Sequence, residues 1–305
     1  MGEYSASELW SIVVMQGFSG LSLFSVLLLM ALGLAIIFGQ MGVINMAHGE
    51  FMAIGAYTTV MLSKVAVEYG FGNLYFLPAI AVSFAMAFLT GYLVEIGLIR
   101  YLYKRPLDTL LATWGLSLIM QQTFRSTFGA KEVSAELPPW MMGSFKPTET
   151  VDIPINGVFV MGLTAFVCLG VFLFLFRARW GLQARATTQN RVMAGAVGIN
   201  TKKVDRVTFA LGCGIAGLAG AAFTTIASTG PTTGSLYIVD SFMVVVFGGA
   251  ASLMGTVVSA FGIAQAQSIL QFFITSSMGK VATLLVIVTI LMIRPEGLFA
   301  AKVRR

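Results

Sequence analysis

Three residues whose side chains could do acid-base or ligand chemistry lie close together in an otherwise apolar stretch. Asn45, His48 and Glu50 fall between glycines in residues 39–57, and Glu50 is the only formal charge in residues 9–63. His48 is the only histidine of the chain. An ionisable group at membrane depth costs roughly 2.5–3.5 kcal/mol even on lenient insertion scales, so such groups usually face a protein interior or a solvated path. We therefore expect this segment to line a route for a solute.

His48 and Glu50 would form a poor acid-base pair on a regular helix, because residues two apart point to different faces. The glycines of residues 39–49 favour a broken helix here, and two roles then stay open: bonding the backbone amides that the break frees, or contacting a solute. Asn45 is the better candidate for contact with a neutral polar solute, since its amide both donates and accepts. The chain contains no GxxxxGK[ST], HExxH or GxSxG motif, so we expect neither ATP hydrolysis nor another enzyme activity.

The composition defines the fold class. Of 305 residues, 57% are hydrophobic and 10% are charged, and apolar runs near the membrane-spanning length recur. This predicts an all-α, polytopic helical membrane protein forming a single transmembrane domain over residues 1–305. The two cysteines, Cys168 and Cys213, lie in different apolar runs, which favours buried thiols over a disulfide or a metal site, and we expect no cofactor. The predicted apolar segments number about eight: residues 12–38, 47–66, 75–98, 110–127, 156–176, 208–228, 238–262 and 265–293.

Charges assign sides to the loops. Residues 177–207 carry many arginines and lysines and are predicted to be cytoplasmic by the positive-inside rule. Residues 128–155 carry acids and four prolines, which predicts an external loop. The net charge of +6 resides largely in short loops, which favours contact with anionic lipid over nucleic acid. The basic residues near the C-terminus predict a cytoplasmic C-terminus: Arg294, Lys302, Arg304 and Arg305.

Counting membrane crossings backwards from the basic loop predicts that the N-terminus lies outside. Counting forwards to a cytoplasmic C-terminus requires that one late apolar segment does not span the membrane. Residues 244–262 are the best candidate, because Gly248, Gly249 and Gly255 interrupt a helix. Broken, re-entrant helices near residues 39–57 and 244–262 would then occupy corresponding positions of two halves, which is typical of a transporter's binding site. The alternative is that these glycines only permit close helix packing.

A polar line follows one face of the fourth apolar segment. Thr109, Thr113, Ser117 and Gln121 are spaced by four residues, so they share a helix face. Lining a pore and hydrogen-bonding another helix are equally compatible with this pattern. The apolar segments hold few acids and no lysine or arginine that we expect to be buried. This favours a small uncharged amide over a zwitterionic amino acid as the solute.

The middle of the basic loop is too apolar to be merely solvated. Between Arg185 and Arg206, one side is formed by Val192, Met193, Ala196, Val197 and Ile199. A short amphipathic element ending near Gly198 is typical of a docking helix for a cytosolic partner. A helix lying on the anionic membrane surface is the alternative.

These motifs resemble permease subunits of ATP-binding-cassette importers of the branched-chain amino acid family. The resemblance rests on GVINMAHGEFMAIGAY at residues 42–57, RATTQNRVMAGAVGIN at residues 185–200 and VVFGGAASLMGTVVSAFG at residues 245–262. Within the family, KRPLDTLLATWGLSLIMQQ (residues 104–122) and FGAKEVSAELPPWMMG (residues 128–143) are most similar to permeases of urea importers. Branched-chain amino acids or short-chain amides are the alternative cargo, and a stand-alone channel or a membrane-embedded enzyme are the other classes.

The resemblance implies a multi-pass protein of the bacterial inner membrane and a set of partners. These are a homologous second permease subunit forming a heterodimer, two cytosolic ATP-binding subunits and a periplasmic solute-binding protein. It implies a substrate pathway formed by Asn45, His48, Glu50, Thr113, Ser117, Gln121, Gly248 and Gly249. It also implies an ATPase-coupling face formed by Arg185, Asn190, Ala194, Gly198, Ile199 and Asn200.

Overall fold

A computed structural model describes residues 6–103, 105–148, 151–249, 252–294 and 297–299. In these residues the chain is almost entirely helical, as predicted, with one small antiparallel hairpin of β1 (Ser144–Thr148) and β2 (Val151–Pro154). The helices are α1 (Ala6–Met41), α2 (His48–Glu68), α3 (Phe76–Gly97), α4 (Pro106–Phe128), α5 (Ile155–Arg177), α6 (Arg179–Gln189), α7 (Arg191–Ala196), α8 (Thr201–Phe223), α9 (Thr233–Gly248), α10 (Leu253–Phe273) and α11 (Ser276–Ile293).

Seven helices in the described part of the chain are long and apolar enough to cross a membrane: α1, α2, α3, α5, α8, α10 and α11. A crossing needs about 20 residues, because the hydrocarbon core is about 30 Å thick and a helix rises about 1.5 Å per residue. α4 has 23 residues and is long enough, but it carries the polar line and is less apolar. The chain is therefore a multi-pass integral membrane protein.

α8 is the most enclosed of the candidate spans and packs against α1, α2 and α3. Its sequence is rich in glycine and alanine, and small side chains let helix backbones approach closely where no hydrophobic effect drives association. At the contact with α2, a Cβ built on Gly55 would lie 2.6 Å from Gly217 Cα. The centre of the bundle is therefore held by backbone contact as well as by side-chain packing.

The basic loop and the last described residues lie at one end of the bundle. Thr188 Oγ1 of α6 donates to the backbone oxygen of Gln40 at the end of α1 (2.9 Å). Leu298 N donates to Phe247 O at the end of α9 (2.8 Å). We call this the basic end. Arg294 lies there with the basic loop, in accordance with the side predicted for it, whereas Lys302, Arg304 and Arg305 lie outside the described residues.

The acidic, proline-rich loop lies at the opposite end. Tyr75 Oη, between α2 and α3, donates to Glu136 O (2.6 Å), and Trp140 Nε1 donates to Asn73 O (2.9 Å). Val133 also forms an isolated antiparallel bridge with Thr229. The predicted external loop thus packs on the connections after α2 and after α8.

The prediction that residues 244–262 form the non-spanning segment was wrong. Residues 253–262 belong to α10, which is a candidate span, and the short apolar helix is α9, with 16 residues. The late segments predicted at residues 238–262 and 265–293 divide into three helices: α9 ends at Gly248, α10 runs from Leu253 to Phe273, and α11 begins at Ser276. The predicted helix break at Gly249 is present, with φ of +93°, but it is a turn between two packed helices.

Candidate functional site

The chain turns back into the bundle after α1. α1 ends at Met41, residues 42–47 form no helix, and α2 begins at His48 beside the middle of α1, where His48 Nε2 lies 3.1 Å from Met30 O. Met30 and Met41 are 11 residues apart, or about 16 Å along a helix. The helix break predicted within residues 39–57 is present, and we call residues 42–47 the re-entrant turn. α2 consequently begins inside the bundle, where first-turn amides have no helical partners.

His48 and Asn45 are both fully buried in this turn. His48 Nε2 is within hydrogen-bonding distance of Met30 O, which can only accept, and Nδ1 has no hydrogen-bond partner among the described residues. Asn45 Oδ1 accepts from Ala47 N (3.0 Å), and His48 N donates to Asn45 O (3.2 Å). Asn45 Nδ2 is buried with no hydrogen-bond partner in the described chain. Both side chains hold the turn, and the free Asn45 donor is available to a further acceptor.

Glu50 lies in the first turn of α2 and connects α2 to α4. Its Oε1 accepts from Ser117 Oγ (3.0 Å) and from Gln121 Nε2 (2.9 Å), and Gln121 Nε2 also lies 3.0 Å from Ser117 Oγ. Glu50 is fully buried, and its Oε2 has no partner among the described residues. The N-terminal position stabilises a carboxylate through the helix dipole. We call Glu50, Ser117 and Gln121 the polar cluster.

The polar line of α4 faces α2 and the re-entrant turn. Thr113 is fully buried and its Oγ1 accepts from Met46 N (3.1 Å), while Thr109 bonds the backbone before α4. The polar line could either bond another helix or line a pore. The structure shows hydrogen bonds that join the line to α2 and to the re-entrant turn. Lining of a path by Thr113, Ser117 and Gln121 stays a prediction.

A second broken element meets the first at this level, and the sequence reasoning missed it. α9 begins at Thr233 beside the start of α2, where a Cβ built on Gly234 would lie 3.0 Å from Glu50 N. The break is the non-helical connection of residues 224–232, which precedes α9. The adjacent Gly230 and Pro231 were the available signal, because this dipeptide typically marks a turn. The N-termini of α2 and α9 therefore converge in the bundle.

Gly248 and Gly249 lie elsewhere. A Cβ built on Gly297 would lie 2.9 Å from Gly249 N, which places the turn at the basic end. A Cβ built on Gly248 would lie 2.8 Å from Ser259 Oγ of α10. The structure does not bring Gly248 or Gly249 to the polar cluster. Their role in the substrate pathway stays a prediction.

An open apolar groove of about 380 Å³ runs beside the re-entrant turn. It is bounded by the turn, α4, α9 and α11, and it is lined by Ile44, Met46, Leu110, Ile238, Val239, Phe242, Met243, Val246 and Leu291. All these side chains are apolar, so the groove can accept an aliphatic group.

An ion pair joins α9 and α11, two of the helices that bound this groove, and neither of its members lines the groove. Lys280 Nζ is 3.4 Å from Asp240 Oδ2 and 5.0 Å from the centre of the Tyr237 ring. The Asp240 side chain is 9% exposed and that of Lys280 is 40% exposed. The bundle therefore carries a partly buried cation paired with an anion.

The predicted coupling residues build a compact helical corner at the basic end. Asn190 Oδ1 caps α7 by accepting from Met193 N (3.0 Å), and Asn200 Oδ1 caps α8 by accepting from Lys203 N (3.1 Å). Between them, Gly198 has φ of +88°, and Ile199 N donates to Ala194 O (3.0 Å). This glycine-terminated C-cap is favoured because only glycine adopts positive φ freely.

One side of this corner is anchored and the other is uncovered. Arg185 donates to Leu175 O and lies 5.2 Å from the Phe176 ring, and Ala194 is buried. The apolar side predicted from the sequence is open: Val192 is 83% exposed and Val197 is 76% exposed. A partner surface or lipid would be needed to cover it.

The chain is 26% identical to the high-affinity branched-chain amino acid transport system permease protein LivH of Salmonella typhimurium, over 96% of this chain and 97% of that protein. It is 26% identical to BraD, the corresponding protein of Pseudomonas aeruginosa, over 92% and 93%. It is also 25% identical to the permease protein LivM of Salmonella typhimurium, over 95% of this chain and 71% of that one. No solved structure matches this chain.

The family model described as branched-chain amino acid transport system / permease component matches residues 17–293. The match includes the re-entrant turn, the polar cluster, the groove and the corner at the basic end. The chain therefore belongs to this family of transport permeases.

Proposed function

We propose that this chain is one of the two membrane-spanning subunits of an ATP-driven importer of the bacterial inner membrane, and that its cargo is a branched-chain amino acid. The observation that carries the cargo is the apolar groove beside the re-entrant turn, with the Asp240–Lys280 pair on the adjoining helices. An aliphatic side chain fits an apolar groove, and a zwitterion is matched by a paired cation and anion. The names of the relatives support the same cargo.

The pairing with a second permease is supported by similarity to two differently named proteins of one transport system. LivH and LivM of Salmonella typhimurium each match 95% or more of this chain. A related chain would complete the pathway along the open side of the groove. Two cytosolic ATP-binding subunits would cover the exposed side of α7, and a periplasmic solute-binding protein would deliver cargo at the opposite end.

Urea is the second candidate cargo, favoured by a different observation. The polar cluster offers two neutral side chains and the buried Asn45 amide has a free donor, a set that suits a small uncharged amide. The motifs of residues 104–122 and 128–143 resemble urea permeases. A branched-chain amino acid would bind at the apolar groove, whereas urea would bind at the polar cluster and Asn45.

The test is uptake of radiolabelled leucine and urea in cells that express this chain with its neighbouring transporter subunits, compared with a deletion of this chain alone. We expect ATP-dependent leucine uptake that vanishes on deletion and is not reduced by excess urea. If urea uptake is lost on deletion and leucine uptake is not, the cargo is urea, and the proposal that the chain belongs to an ATP-driven importer still holds. Solute movement by the chain without its ATP-binding partners would overturn the importer proposal, since only a channel behaves so.

A Gly198→Asp substitution is expected to uncouple the complex. The positive φ tolerates asparagine and aspartate better than most residues, so the backbone is retained, but a carboxylate at the C-terminus of α7 opposes the helix dipole and sits beside the uncovered apolar side. We expect uptake to fall about tenfold, or about 1.4 kcal/mol. Gly198→Asn is the matched uncharged control and should stay near wild type. Normal solute-stimulated ATP hydrolysis in the aspartate variant would contradict this prediction.

A further inference from the structure

Five side chains at the basic end form a continuous series of contacts, from Asp205 to Arg206. Arg191 at the start of α7 donates to both carboxylate oxygens of Asp205 on α8 (2.8 and 3.0 Å). The next residue of α8, Arg206, pairs with Glu95 of α3 (3.3 Å). Tyr103, in the connection to α4, donates to Glu95 Oε1 (2.6 Å), and the Arg191 guanidinium lies 5.6 Å from the Tyr103 ring. We call these five residues the ionic circuit.

The two acids of the ionic circuit depend on their partners. The side chains of Asp205 and Glu95 are 4% and 1% exposed, so water does not compensate their charge. Breaking a buried ion pair by removing one partner is strongly unfavourable, because the other charge is left uncompensated. Burial and the Glu95 contact raise the pKa of the Tyr103 phenol far above its ordinary value. Its hydroxyl therefore keeps its proton and donates to Glu95 at any pH in cells.

The ionic circuit connects the partner-facing side of the chain to the pathway. Val192 and Met193 of α7 are exposed, whereas the neighbouring Arg191 is the α7 residue whose side chain bonds a membrane helix in the described part of the chain. At the other side, Tyr103 lies three residues before α4, which holds the polar cluster partners Ser117 and Gln121. α4 packs against α2 among the described elements, and its start at the basic end is joined to the ionic circuit through Tyr103.

The ionic circuit also has room to move. A polar cavity of about 490 Å³ adjoins it, lined additionally by Arg100, Tyr101, Thr201 and Lys202. Side chains beside such a space can exchange partners without displacing a packed core, in contrast to the close backbone contacts between α2 and α8.

From this geometry we infer that the ionic circuit transmits movement of α7 to α3, α8 and α4, and that Arg191 and Tyr103 are positioning residues that make ATP hydrolysis drive transport. The inference rests on the proposed function. A push on the exposed side of α7 moves Arg191, which displaces Asp205 and the Tyr103 ring together. The positions of α3, α8 and the start of α4 thereby change together with that of α7.

The test measures uptake and ATP hydrolysis in the same vesicles containing the complete transporter, with wild type, Arg191→Asp, Asp205→Arg and the double exchange. We expect each single variant to hydrolyse ATP while transport per ATP falls at least tenfold. The double exchange restores the pair with reversed polarity and should recover at least a third of the wild-type ratio. Arg105→Glu, in an exposed pair with Asp108 at the same end, is the matched charge control and should keep the wild-type ratio.

A milder variant covers the case in which a single charge variant fails to assemble. Tyr103→Phe keeps the ring beneath Arg191 and removes only the hydroxyl bond to Glu95, and we expect transport per ATP to fall about threefold. An unchanged ratio in Tyr103→Phe and in the assembled charge variants would overturn the inference. Failure of the wild-type vesicles to import any tested solute with ATP would instead overturn the proposed function, so the two failures are distinguishable.

Discussion

Replacing Glu50 by leucine is expected to lower the uptake rate about 100-fold, which corresponds to about 2.7 kcal/mol. Glu50 is the acceptor that joins α2 to Ser117 and Gln121 of α4. Leucine leaves the buried Ser117 hydroxyl and the half-buried Gln121 amide without that partner, and a buried unsatisfied group costs about 1–3 kcal/mol. Since α4 packs mainly on α2, its position along the re-entrant turn would be lost. Uptake should be measured per amount of assembled transporter.

Two variants make this prediction specific. Glu50→Gln retains an acceptor oxygen of the same reach, and we expect only about a tenfold loss, because the stronger charge-assisted bonds become neutral ones. Glu68→Leu removes a carboxylate at the exposed end of the same helix and should leave uptake unchanged. Equal uptake in Glu50→Leu and Glu68→Leu would show that the polar cluster has no part in transport.

Replacing Gly55 by valine is expected to prevent correct folding of the bundle. A Cβ there would overlap the carbonyl oxygen of Gly217 and lie 2.6 Å from its Cα, so the obstacle is backbone of α8 and cannot rotate away. Forcing extra atoms into a packed contact typically costs about 1–3 kcal/mol, and a backbone overlap at the centre of four helices should reach the upper limit or exceed it. The measurement is the yield of monodisperse protein in detergent and its melting temperature.

Gly162→Val is the matched control for this substitution. Gly162 lies in α5, a membrane helix like α2, but a Cβ there has nothing within 4 Å. It should retain the wild-type yield and melting temperature. A Gly55→Val protein that melts like Gly162→Val would mean that α2 and α8 do not approach as closely as the structure places them.

Local patterns sufficed for much of this protein. The apolar runs predicted the helical membrane fold because a spanning helix must be about 20 apolar residues long, whatever its neighbours. The isolated charge of Glu50 predicted a special segment, and the glycines around it predicted the break after α1. The exposed side of α7 was also readable, since Val192 and Val197 interrupt a polar loop.

The same local patterns misplaced the second broken element. The glycines at positions 248, 249 and 255 were more prominent than Gly230 and Pro231, yet they lie where α9 and α10 pack together, whereas the non-helical connection lies at residues 224–232. Glycine serves both close packing and chain reversal, and its frequency does not distinguish the two uses.

Only the tertiary structure decided which residues act together. The periodicity of α4 places Ser117 and Gln121 on one face but does not identify Glu50, 67 residues earlier than Ser117, as their acceptor. In the same way it does not reveal that Lys280 meets Asp240, or that Arg191 and Glu95 belong to one ionic circuit. A sequence pattern reports the face of an element that must be covered. The partner that covers it is chosen by the packing of the whole chain, where burial makes every unpaired charge costly.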